Sequence, residues 1–318
     1  IGGHAGAGVV VEVGPGVTHV VPGDHVVTSF VAVCGRCRWC ASGMEYLCDS
    51  GAGTLLPGMP TDGTFRHHTA DGRDLGHTSK IGAFAEHTVV AADSLVKIDA
   101  GLPLVSAALL ACAVPTGYGS AANLGGVHGG DVVVVIGVGG IGTAAVQGAR
   151  INGASHIVAV DPVAFKRDSA LTFGATDTAA SAADALDPVR DMTFGALADA
   201  VIVTCSTIRP EDVEAALALT RKGGTCVLTG LPSASVMSAA VPLQQFVLMN
   251  KTLCGAVFGS CNPRSDIPRL ATLYQSGRLR LDEMVTRRYR LDQINEAYED
   301  LVAGELIRGV IDFGIADG

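Results

Sequence analysis

Aromatic side chains are scarce in this 318-residue chain, at 5% with a single tryptophan. That shortage excludes the stacking platforms that hold single-stranded nucleic acid. Basic runs are missing too. The 22 Lys and Arg residues stand against 31 Asp and Glu, for a formal charge of −9, which argues against nucleic acid or an anionic membrane as partner. Nor is there a long hydrophobic run. The longest, Val132 to Val146, is interrupted by Gly137, Gly139, Gly140, Gly142 and Thr143, too short and too glycine-rich to span a bilayer. No charged segment with a cleavage site precedes it, so a cytoplasmic protein is expected. Charged residues make up only 17% but hydrophobic ones 48%, which excludes a disordered chain. The length fits two domains, each with a core of its own.

Two residue types are abundant instead. Glycine occurs 41 times, and there are nine cysteines. Four cysteines fall within one short stretch, Cys34-Gly-Arg-Cys37-Arg-Trp-Cys40 followed by Cys48. This spacing lets the chain wrap around one tetrahedral zinc, and four thiolates close the coordination sphere, so such an ion is structural. A disulfide-rich lobe or redox thiols are the alternative. The odd cysteine total and the lack of an export signal favour zinc. Cys205, Cys226 and Cys254 sit in apolar, strand-like contexts and read as small buried hydrophobes.

The apolar pattern changes character along the chain. Residues 9–13, 24–30, 83–90 and 95–98 read as short strands, and 51–80 as a long loop containing His67 and His68. Residues 105–122 read as helical. From there, strands at 131–137, 156–161, 200–205 and 225–229 alternate with helices at 141–151, 163–173 and 210–221. Alternation of this kind predicts an α/β fold with a doubly wound parallel sheet. Amphipathic helices follow at 264–277 and 291–303.

The strand Val132–Ile136 runs into Gly137-Val-Gly139-Gly140-Ile141-Gly142 and then directly into a helix. Gly137 permits the tight turn, Gly139 lets backbone approach a pyrophosphate, and Gly142 allows close strand–helix packing. The helix N-terminus offers free N–H groups and a positive dipole end to phosphate. The next strand ends in Asp161, whose carboxylate suits the ribose hydroxyls of NAD and repels the 2′-phosphate of NADP. Lys166, five residues on, partly offsets that repulsion.

Taken together, these features resemble the zinc-containing medium-chain alcohol dehydrogenases. The resemblance rests on Gly3-His4-x-Gly6-Ala7-Gly8, the four-cysteine lobe, Cys112-Ala-Val-Pro-Thr116-Gly-Tyr-Gly, the glycine fingerprint, Gly255-Ala-Val-Phe258-Gly and Ile307-Arg308-Gly. Trp39, the stretch from Asp161 to Arg167 and Asn262-Pro-Arg-Ser-Asp-Ile-Pro look most like the nitrosoaniline-dependent actinobacterial members. The resemblance implies a GroES-like, mainly antiparallel β catalytic domain at 1–116 with the zinc lobe at 34–48. It implies a Rossmann domain at 117–257 and a return to the catalytic domain at 258–318. It also implies the residue roles. Cys34, Cys37, Cys40 and Cys48 would hold structural zinc, and His4 and Cys112 would ligate catalytic zinc. Thr116 and Ile141 would pack against nicotinamide, and the backbones of Thr229, Ala256 and Phe258 would hold its carboxamide. Asp161 and Lys166 would address the adenosine ribose, and Arg308 the pyrophosphate. Implied too are a small alcohol or aldehyde as substrate, tightly bound NAD reoxidised by an external carrier, and a homo-oligomer.

Two departures from the family stand out. Ala5 follows His4 where the family carries Glu. Family members also begin before Ile1, in a segment with another cysteine ligand, so a truncated chain is expected that keeps the lobe zinc and binds catalytic zinc poorly. A degenerate relative holding NAD and zinc without turnover is the alternative reading.

Overall fold

The computed structural model describes residues 1–51 and 63–314; residues 52–62 of the expected long loop lie outside it. In chain order, β1 (Ala7–Val9) and β2 (His25–Thr28) precede the short α1 (Arg38–Ala41). Then come β3 (His67–His68), β4 (Asp74–Leu75), β5 (Leu95–Lys97), α2 (Leu104–Ala107) and α3 (Ala113–Gly119). The central run is β6 (Val132–Ile136), α4 (Gly140–Ile151), β7 (His156–Val160), α5 (Ala164–Phe173) and β8 (Asp177–Ala179). It continues through α6 (Ala182–Met192), β9 (Ala198–Val203), α7 (Pro210–Leu219), β10 (Thr220–Leu228), α8 (Leu243–Leu248) and β11 (Thr252–Gly255). The chain ends with α9 (Pro263–Gln275), β12 (Val285–Tyr289), α10 (Ile294–Ala303) and β13 (Arg308–Ile311).

Two units result. One comprises Ile1–Pro115, Cys261–Glu299 and Gly309–Gly318; the other comprises Thr116–Ser260 and Asp300–Arg308. In the first unit β1, β2 and β5 form an antiparallel sheet, with Gly8 opposite Val26 and Val26 opposite Lys97. Val10, Val20 and Val26 pack with Val13, Val17 and Leu95 into a small core beside it. The pairs β3–β4 and β12–β13 are separate two-stranded ribbons.

The second unit holds six parallel strands in the order β11-β10-β9-β6-β7-β8. Successive strands step outward to one side from β6, and the order reverses between β6 and β9, which creates the crevice where such sheets bind ligands. The strands are apolar on both faces because helices cover both: Val133, Val134, Val135, Ile202 and Val203 are wholly buried. Asp199 ties the strand starts together, its carboxylate accepting from the Val132 N–H (2.8 Å) and from the Arg221 guanidinium.

Several expected elements differ. Residues 83–90 form no strand, because their donors turn elsewhere: Ala83 and Phe84 N–H donate to the carbonyls of Gly3 and Gly2, both at 2.9 Å, without extending a ladder. The expected helix at 105–122 is broken at Cys112, which has φ −152° and ψ −68°. Pro115 sits in the first turn of the new helix, where its missing N–H costs nothing. That helix then widens into a π-helical turn at Ser120–Leu124, with the Gly125 N–H donating to the Ser120 carbonyl (2.8 Å). No single helix among the described residues is long and apolar enough to cross a membrane.

Candidate nucleotide and metal sites

The nucleotide crevice starts at the end of β6. Gly137 has φ +89°, a left-handed conformation that a side chain resists. A Cβ on Gly142 would land on the Gly137 carbonyl oxygen, so α4 reaches the turn this closely only with glycine there. Thr204, at the end of β9, donates its hydroxyl to the same carbonyl and locks the turn. Gly139 caps α4 and has open space where its Cβ would be. Together these features leave the backbone at Gly139, where α4 begins, open to a pyrophosphate. Arg308 lies across Gly140, where a Cβ would strike its side chain.

Asp161 is 5% exposed just past β7, and its carboxylate is fixed on both oxygens. One accepts from Val138 N–H at 3.0 Å and the other from Val163 N–H at 2.9 Å. The first bond spans from β7 to the glycine turn and so sets the carboxylate beside it. Lys166 stands on α5, close to Gly304. On the far side of the switch point, Thr229 is buried, with its hydroxyl 2.9 Å from that of Ser120. Ala256 N–H donates to the Leu228 carbonyl at 2.9 Å, joining the ends of β10 and β11. Thr116 Oγ1 is buried without a hydrogen-bond partner. A buried hydroxyl left unpaired marks a place where a bound group is expected to supply the missing bond. The residues fit a dinucleotide. Sequence reasoning missed Ser120, Asn123 and Thr204, whose spacing carries no signature; only the topology brings them to the crevice.

The cysteine lobe is equally well formed. The four sulfurs lie within 4.8 Å of one another, with Cys37 Sγ 3.5 Å from Cys40 Sγ and 3.9 Å from Cys48 Sγ. A tetrahedral zinc with Zn–S near 2.3 Å spaces its sulfurs about 3.8 Å apart, so the cage fits zinc. Backbone donors turn toward the sulfurs: Cys34 N–H reaches Cys48 Sγ at 3.3 Å, and Cys37 N–H reaches Cys34 Sγ at 3.3 Å. N–H groups of Cys40 and Asp49 push the Cys37 thiol down to about 6, whereas burial pushes Cys40 up to about 12. Four thiolates in one place require a cation to ionise together. Asn262, at the start of α9, tethers the lobe by accepting from Glu45 N–H and donating to the Gly43 carbonyl, both at 2.9 Å.

His4 and Cys112 both lie in the first unit. The His4 ring meets Phe30 edge-on, with centroids 5.9 Å apart. Among the described residues, the cysteine lobe alone gathers three or more candidate ligands. His4 and Cys112 therefore do not, by themselves, complete the three-ligand set that a catalytic zinc needs. His67 of the long loop makes a different pairing, its Nδ1 2.7 Å from Nε2 of the buried His77. Burial raises the Cys205 thiol to about 11 and the Cys226 thiol to about 12, which favours the protonated form of both.

An alcohol dehydrogenase GroES-like domain matches residues 1–100, and a zinc-binding dehydrogenase domain matches 140–276. The chain belongs to the zinc-binding alcohol dehydrogenase family. As a member it is an oxidoreductase with zinc and NAD as cofactors. This dehydrogenase is 50% identical over 311 residues to the NDMA-dependent alcohol dehydrogenase of Amycolatopsis methanolica, covering 98% of this chain and 83% of that protein. It is 46% identical over 311 residues to alcohol dehydrogenase B of Mycobacterium tuberculosis, with the same coverage. Among solved structures it resembles an alcohol dehydrogenase zinc-binding domain protein from Burkholderia ambifaria, with TM-score 0.89 and 31% identity. That likeness covers 97% of this dehydrogenase and 82% of that chain. The GroES-like and Rossmann classes expected from the sequence are borne out. The expected N-terminal truncation is not borne out by these matches, and nothing in them supports an inactive relative.

Proposed function

We propose that the chain interconverts a small alcohol and its aldehyde by passing hydride to or from NAD, and that the nicotinamide stays bound and is reoxidised in place by an external carrier. The observation that carries the first part is the glycine turn at the switch point, with Asp161 pinned beside it by Val138 N–H. A carboxylate so placed selects ribose hydroxyls over a 2′-phosphate. The second part rests on similarity to the NDMA-dependent relative.

In this reading residues 117–257 form the NAD domain, and 1–116 with 258–318 form the catalytic domain. Gly137, Gly139, Gly140 and Gly142 admit the pyrophosphate, and Arg308 neutralises it. Ile141 and Thr116 pack against the nicotinamide, whose carboxamide is held by the backbones of Thr229, Ala256 and Phe258. Asp161 and Lys166 address the adenosine ribose. These contacts align donor and acceptor and exclude water; the hydride chemistry itself belongs to the cofactor. Cys34, Cys37, Cys40 and Cys48 hold a structural zinc. His4 and Cys112 are the two donors this chain offers to a second zinc, which when bound supplies Lewis-acid stabilisation of negative charge on the alcohol oxygen.

A cytoplasmic setting suits cysteines kept as thiols and not paired in disulfides. A homo-oligomer is supported by the apolar face of α8, where Leu243, Val247 and Leu248 are exposed, beside the edge strand β11.

The test is turnover of a primary-alcohol series with NDMA, without added NAD. Alcohol-dependent bleaching of the dye is expected. Turnover that demands added NAD and leaves the dye unchanged would remove the bound-cofactor part; no turnover with either acceptor would remove alcohol oxidation.

A further inference from the structure

After β11 the backbone enters three successive left-handed residues: Phe258 (φ 53°), Gly259 (φ 62°) and Ser260 (φ 52°). Two of the three carry side chains, for which this region is unfavourable, and such strain persists only where surrounding contacts fix it. Phe258 is buried, which anchors one end of the turn. Its carbonyls are gripped from outside by Asn123, whose Nδ2 donates to the Gly259 carbonyl at 3.2 Å and to the Ser260 carbonyl at 3.3 Å.

Asn123 sits in the π-helical turn Ser120–Leu124. The same turn supplies Ser120, whose hydroxyl pairs with Thr229 at the end of β10. One irregular helical turn therefore holds both chain segments that follow the last two strands of the sheet. π-Turns inside helices recur at functional positions because the extra residue redirects side chains that a regular helix would place elsewhere.

We propose that this π-turn is a clamp for the nicotinamide end of the crevice, and that Asn123 is a positioning residue. It holds the Phe258–Ser260 turn in the shape that receives the carboxamide, while Ser120 holds Thr229. This rests on the reading that Thr229, Ala256 and Phe258 contact the carboxamide. Asn123 touches neither cofactor nor substrate in this role and acts through the backbone it grips.

The test measures binding, by calorimetric titration of nucleotide-stripped protein. Three probes are compared: NAD, ADP-ribose, and the NAD analogue whose carboxamide is replaced by an acetyl group. The wild type should bind NAD more tightly than the acetyl analogue. In Asn123→Leu, similar in size but without a donor, NAD affinity should fall about tenfold, as expected for two lost bonds, and the preference over the analogue should vanish. ADP-ribose affinity should change less than twofold. Asn123→Ser repeats the measurement should the leucine variant fold poorly. If the variants keep the preference, or lose ADP-ribose affinity as much as NAD affinity, the clamp is overturned while the carboxamide reading stands. If the wild type shows no preference at all, that reading fails and the clamp falls with it.

Discussion

Gly139 and Gly142 belong to one motif but carry different burdens. Open space surrounds the position of a Cβ at Gly139, whereas one at Gly142 would meet the Gly137 carbonyl and the Thr204 hydroxyl. Gly139→Ala should therefore leave the melting temperature within about 1 °C while abolishing NAD binding. Gly142→Ala should destabilise the fold by about 2–3 kcal/mol and lower the melting temperature by several degrees. Thermal unfolding beside NAD titration separates the two. Asp161→Ser should weaken NAD by roughly ten- to a hundredfold, the worth of bonds to a charged group, and raise NADP relative to NAD; dissociation constants for both cofactors check it. His77 gives a pH prediction. Burial, then the neighbouring His67, lowers its pKa below the usual 6.5. The unfolded chain thus binds more protons as pH falls through the ordinary histidine range, so this contribution is intact above about pH 6.5 and lost below it. Melting temperatures at pH 5 and 7.5 should differ less in His77→Gln than in the wild type. Legibility in the sequence follows the same divide. Gly137, Asp161 and the four cysteines were readable because local chain geometry dictates their spacing. Asn123, Ser120 and the His67–His77 pair were not, because their partners arrive from distant segments or, for His77, from a turn with no repeating pattern.

Elements with a continuous apolar run were predicted within a few residues: β6 and β7 are buried on both faces and need no tertiary help to be recognised. Residues 83–90 misled, since an alternating pattern describes one-sided burial without saying where the backbone donors go. Helix α6 was missed although Ser181 caps it by accepting from Asp184 N–H and Ala182, Ala185, Leu186 and Val189 recur at helical spacing toward the core; Pro188 inside it is a residue that ordinarily argues against a helix interior. The zinc lobe contains almost no regular structure, only α1 and one turn of 3₁₀-helix, so its order depends on the ion. Cys40→Ser should release zinc, measured by elemental analysis after gel filtration, and make residues 34–48 sensitive to protease. The wild type should keep its lobe zinc under the same treatment. Retention of a second zinc would show that His4 and Cys112 gain a further ligand.

For the whole molecule, a parallel sheet with its crevice at the β6–β9 reversal and a GroES-like unit carrying a zinc lobe are what a family of alcohol dehydrogenases requires. The proposed homo-oligomer places the exposed α8 face at a subunit contact. Val247→Glu would place a charge among Leu243 and Leu248, and light scattering should then report a smaller species than the wild type. In the proposed reaction hydride passes directly between the alcohol carbon and a bound nicotinamide. The most direct test of this transfer uses an alcohol carrying deuterium on the oxidised carbon, followed by mass spectrometry of the cofactor released from the protein. One deuterium is expected on the nicotinamide ring of the reduced cofactor. Aldehyde formed with the label absent from the cofactor would contradict it.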